Sequence, residues 1–196
     1  MNKLTYELGG ANIDCSNGEK GRINPLQIRF NVPDSDTGDG KVPLDQIYPL
    51  EQHIRFLRSF LNAYKGDSDE IGILHTNLIE RALTHVYGLI NIDFKTTAQY
   101  ILDNFKSEDY PIFSDVYDTI QAWLKEIEKQ PHPDRAEIER HKVCLAFLEP
   151  IAYGADANLF NGHTNVDLSS NVINFNLSAL QDNTGSRLSL IHISEP

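Results

Sequence analysis

The chain has 196 residues, 40% of them hydrophobic, and a formal net charge of -11, which is material for one sizeable core or two interleaved subdomains and scarcely for two full domains. No stretch gathers Lys and Arg, so the acidic balance argues against nucleic-acid binding as the main task, because phosphate contacts need clustered cations. The two cysteines, Cys15 and Cys144, lie far apart in no C-x-x-C pair and fit a reducing compartment; neither an export signal nor a run of roughly 18 apolar residues is present.

From Gly9 to Ile28, short apolar pieces alternate with Gly, Asn and Pro: Ala11 to Cys15 predicts a brief strand, and Asn24-Pro25-Leu26-Gln27-Ile28 a loop at a sheet edge. Pro33 to Pro43, rich in Asp and Gly, has nothing that packs a core and reads as an exposed loop. From Pro49 the period becomes helical, with Leu50, Ile54, Leu57, Leu61 and Tyr64 on one face and Lys65-Gly66-Asp67 as the stop. A second helix starts near Ile71, with Ile71, Leu74, Leu78, Ala82, Val86 and Ile90 on its apolar side.

Thr96-Thr97-Ala98-Gln99 has the spacing of a capping box ahead of Ile101, Leu102 and Phe105, which predicts a short third helix. Phe113, Val116, Tyr117, Ile120, Leu124 and Ile127 form the next stripe, closed by Gln130-Pro131-His132-Pro133. Asp134 caps a further helix carrying Ile138, Leu145 and Leu148. Beyond Pro150, Gly, Asn and the segments Asn165 to Leu168 and Val172 to Leu177 read as turns and strands. The expected fold class is therefore α/β, with strands at both ends enclosing an all-helical insert of about five helices.

No local motif supplies chemistry. A phosphate loop needs Gly, four residues, then Gly-Lys-Ser/Thr; Gly40-Lys41 is the nearest approach, but Ser35 stands where the first glycine belongs and Val42 replaces the magnesium-binding hydroxyl. The run from Asp34 to Asp45 fails as a calcium loop in either register, since Gly and Asp fall on its fifth and sixth positions, or Gln46 on its last. His53, His75, His85, His132 and His141 make no H-E-x-x-H motif, and His75 and His85 are ten residues apart, too far along one helix to share an ion. No G-x-S-x-G elbow orders a nucleophile. Trp123 and Tyr117 fall where a helix stripe buries or half-buries them, so a packing role is favoured over a recognition surface. The loops Asn24-Pro25 and Asn158 to Gly162 have the backbone freedom of functional loops, but no reaction follows from them.

Gly9-Gly10, Ile23-Asn24-Pro25-Leu26, the Pro111 to Asp118 segment and Gly154 to Leu180 together resemble the conjugal-transfer ATPases of type IV secretion systems, in order and spacing, up to about residue 187. The resemblance implies a partial P-loop NTPase core at 1–32 and 151–188, a helical insert at 33–150, and a tail at 189–196, SLIHISEP, unlike the family and resembling translated adapter sequence. It places both nucleotide motifs outside the chain, so the chain reads as an inactive internal fragment with no catalytic, cofactor-binding or metal-ligating residue of its own. For the parent it implies ATP and magnesium as cofactors, other secretion components and further copies of itself as partners, and a cytoplasmic position at the inner face of the membrane. The alternative reading is a small acidic helical module without catalytic activity that binds a partner protein through the Asp-rich loop or the Asn158 to Gly162 loop.

Overall fold

The computed structural model describes residues 11–14, 21–29, 43–66, 69–166 and 173–176. The first long helix, α1 (Pro49–Lys65), opens with proline at the position where a missing N–H costs nothing and stops at Gly66, whose φ of 59° suits glycine. It buries Leu50, Ile54, Leu57 and Leu61, as the periodicity predicts, and His53 beside them. The next, α2 (Ile73–Leu89), starts two residues later than expected, where the Gly72 N–H donates to His75 Nδ1 at 3.1 Å. Its buried face is also wider than the predicted stripe. Leu74 is 56% exposed, while Ile79, Leu83 and Tyr87 form a second buried row beside Leu78, Ala82 and Val86. A helix packed on more than one side needs this broader face.

The short α3 (Ala98–Asn104) is capped one residue later than the capping-box spacing suggests, by Thr97, which accepts from the Tyr100 N–H at 3.3 Å. Thr96 instead accepts from the Asp93 N–H at 2.9 Å, and Gln99 is drawn to Asp103. Helix α4 (Phe113–Glu128) buries Phe113, Val116, Ile120, Leu124 and Ile127, the stripe read from the sequence. Helix α5 (Arg135–Ala152) is capped by Asp134, whose side chain accepts from the Ala136 N–H at 2.9 Å. It runs past Pro150 rather than ending there. So close to the carboxyl end a proline disturbs few intrahelical bonds, and the end is sealed by the Tyr153 and Gly154 amides, both donating to Glu149 O. A Cβ on Gly154 would lie 2.7 Å from Pro150 Cα, so glycine allows the chain to fold back at this point.

α4 and α5 form an antiparallel pair, α2 lies against both, and α1 lies on α2. Leu57, Ile79, Leu83, Phe113, Ile120, Leu148 and Ile151 make the fully buried centre of one continuous core.

The expected α/β class is corrected by this arrangement: the described residues form a helical fold. Their strands are one parallel pair of four residues each, β1 (Ala11–Asp14) against β2 (Ile173–Asn176), in register from Ala11 with Ile173 to Asp14 with Asn176. Two such strands make no sheet for helices to cover, and no P-loop core stands in the described structure. Asn165 and Val166 are irregular, and 157–160, read as part of the return to a sheet, is a helical turn, α6 (Ala157–Phe160). Short apolar runs bounded by Gly and Asn fit a strand, a turn or a loop equally well, which is why the pattern misled. The Asp-rich segment through Val42, with Gly40-Lys41, and the tail from Ser189 lie outside the described residues, as does Cys15.

Candidate functional site

The two loops singled out by composition meet. The inbound segment, 21–29, and the outbound segment, 158–166, run side by side and are laced by hydrogen bonds. Ile23 N–H donates to Leu159 O at 2.9 Å, and Asn165 N–H to Arg22 O at 3.2 Å. Arg22 N–H donates to Asn165 Oδ1 at 2.9 Å, and Asn24 N–H to Thr164 Oγ1 at 3.0 Å.

Two asparagines tie this seam to the helices. Asn24 is 1% exposed; its Nδ2 donates to Pro111 O at 2.9 Å and its Oδ1 accepts the Leu26 N–H at 3.0 Å. An amide carries both donor and acceptor, so one side chain closes the turn and anchors it to the approach to α4. Asn161 performs the same double task, accepting from Ser114 N–H in the first turn of α4 at 2.8 Å and donating to Ala152 O at the end of α5 at 2.6 Å. Both orphan helix-end groups are thereby satisfied. Leu26 inserts fully into the core, and its carbonyl accepts the buried Tyr87 hydroxyl. Gly162 has a φ of 153°, and a Cβ there would lie 2.7 Å from Arg22 Cδ and Nη1, so the Arg22 side chain lies directly against the glycine backbone.

His53, on the buried face of α1, is 6% exposed and its Nε2 has no hydrogen-bond partner. Burial depresses its pKa to about 4; the backbone of Leu26 and Pro25 works the other way, and the Arg29 charge adds to the depression. The ring is therefore neutral near pH 7 and sits edge-on to Tyr87 at 6.0 Å. His53 and Tyr87 were not legible as neighbours of the turn; the signal available was Tyr87 at four-residue spacing from Leu83 and Ile79.

The other singled-out residues do not converge on this place. His75 caps α2, and His141 is buried with Nδ1 2.8 Å from Glu137 O. His132 is exposed, and His85 is exposed beside Trp123 at 5.6 Å. Trp123 is half-buried under the Arg81 guanidinium, 4.5 Å from its ring centroid. Tyr117 is half-buried and meets Tyr153 edge to face at 5.2 Å. Cys144 is fully buried, and burial pushes its thiol up to about 12, which leaves it unreactive. Among the described residues no group of three or more His, Cys, Asp or Glu converges to hold a metal ion.

Among solved structures, the chain is similar to VirB4 of Thermoanaerobacter pseudethanolicus, with 26% identity and a TM-score of 0.66 over 94% of this chain. The chain is VirB4-like. The resemblance to type IV secretion ATPases seen in Ile23 to Leu26, Pro111 to Asp118 and Gly154 to Leu180 is thus borne out. This VirB4-like chain spans 41% of the length of that VirB4 chain. No family model matches it, and no curated protein does. Among its described residues no helix is long and apolar enough to cross a membrane.

Proposed function

We propose that the chain is the helical part of a type IV secretion ATPase, a segment that supports the motor without itself hydrolysing ATP. The observation that carries this reading is the extent of the likeness to VirB4, 94% of the chain at a TM-score of 0.66. The sequence adds that Gly40-Lys41 lacks both the first glycine and the hydroxyl of the phosphate-loop motif. In this reading ATP and magnesium are bound by parts of the parent on either side of the segment, and the parent energises DNA or protein transfer or pilus assembly. It does so with other secretion components and further copies of itself, at the cytoplasmic face of the membrane. The seam ties both ends of the helical unit to its helices, Asn24 at the approach to α4 and Asn161 at α4 and α5.

The experiment is to read the DNA flanking the coding region. An in-frame Gly-x-x-x-x-Gly-Lys-Ser/Thr upstream and an acidic-ended apolar strand downstream are expected. Stop codons in frame on both sides, with neither motif, would overturn the proposal.

A further inference from the structure

The seam concentrates positive charge in an acidic chain. Arg22 and Arg29 lie on the inbound segment against the outbound one; neither 21–29 nor 158–166 contains an acidic residue, and among the described residues neither arginine has a carboxylate within ion-pairing distance. Their bonds go to neutral oxygens. Arg22 Nε donates to Asn158 O at 3.2 Å, while Arg29 Nη2 is shared between Gln27 Oε1 at 3.2 Å and Thr164 Oγ1 at 3.4 Å. Neither terminal nitrogen of Arg22 makes a hydrogen bond to a described residue, yet the side chain is fixed against Gly162.

A guanidinium brings five N–H donors in a planar fork that matches oxyanions, and a desolvated cation without a counter-ion is an expensive arrangement. Arg29 is exposed, and its partial burial against the seam draws its pKa below the usual arginine value. Thr164 is two residues from Gly162, against which Arg22 lies, and its Oγ1 accepts from the Asn24 N–H and from Arg29, which leaves the hydroxyl proton for a ligand.

We propose that Arg22, Arg29 and Thr164 form a binding site for a phosphate-type oxyanion at the seam. The site is pre-organised, because the Asn24 and Asn161 bonds and the close approach at Gly162 fix the backbone carrying it. A net charge of -11 repels anions in general, so a saturable phosphate response must come from local donors rather than from the overall field.

The test is titration of the full chain with inorganic phosphate at constant ionic strength, followed by nitrogen-15 NMR of backbone amides and arginine Nε–H groups. Saturable shifts are expected at Arg22, Arg29 and Thr164. Arg22→Gln and Arg29→Gln should each weaken binding about tenfold, a difference of about 1.4 kcal/mol, and Arg29→Gln should leave melting unchanged. Arg29→Lys, which keeps the charge but not the fork, should fall between. A parallel titration with ADP separates two sources: equal affinity points to an isolated phosphoryl group, and tighter ADP binding to a nucleotide. Absence of a saturable shift at these residues, or binding that survives both Gln substitutions together, would overturn the site. Either result leaves the VirB4 likeness, which rests on the fold, untouched.

Discussion

The core and the seam hold the molecule by opposite means. Where α2, α4 and α5 meet, stability comes from apolar area, spread over residues such as Ile79, Phe113, Ile120 and Leu148. At the seam, beside the burial of Leu26, it comes from a few directional bonds made by Asn24, Asn161, Thr164 and Arg22, each with a fixed partner. Apolar packing tolerates rearrangement as long as volume is kept, whereas a buried amide without its partner costs its whole desolvation. The core therefore fixes that the helices assemble, and the seam fixes where the chain enters and leaves them.

The core is most vulnerable at Phe113, which is fully buried and stacks on Phe60 at 6.1 Å. Phe113→Ala should lower the unfolding free energy by about 3–5 kcal/mol in urea titrations, through lost transfer energy and the cavity left behind.

His53, between core and seam, should make stability depend on pH. An unfolded histidine titrates near 6.5, and this one titrates at about 4 when folded. Between those values the unfolded chain binds the extra proton, so stability rises with pH across the window and is lost on acidification through it. The change is on the order of 2–3 kcal/mol, because each tenfold loss of proton affinity on folding is worth about 1.4 kcal/mol. Urea midpoints measured at pH 7, 5.5 and 4.5 should show this loss in the wild type and a flatter profile in His53→Leu.

Asn24→Ala should cost about 1–3 kcal/mol, because it leaves the Pro111 carbonyl and the Leu26 amide without their partner. Hydrogen exchange should quicken at Ile23 to Leu26 and in the first turn of α4, while α5 keeps its protection. Uniform loss of protection would show that seam and core are one cooperative unit. The smallest effect is expected at Asp134→Ala, about 1 kcal/mol from the lost cap, read as an earlier urea midpoint.

The same division explains what was legible beforehand. Leu50 to Leu61 and Phe113 to Ile127 announce themselves because a helical face repeats every three or four residues, and Asp134 because a cap acts on its own next turn. The second row of α2, Ile79, Leu83 and Tyr87, was missed because a helix covered on several sides no longer shows a single narrow stripe. The strands expected at Ala11 to Cys15 and Val172 to Leu177 form as β1 and β2, but the α/β core expected around them does not: the rest of the described structure there includes a turn at Pro25 to Gln27 and the helical turn α6. That Asn24 and Asn161 matter was visible as loop composition. Their partners Pro111, Ser114 and Ala152 were not, since bonds across such sequence distances leave no periodic trace.

Whether this VirB4-like helical segment has an ATP-hydrolysing site of its own is decided by titrating the full chain with ATP and magnesium in a calorimeter. No binding in the micromolar range and no ATP turnover are expected, any phosphate response at Arg22 and Arg29 being far weaker. A stoichiometric micromolar isotherm would contradict that expectation and place a nucleotide site within these residues.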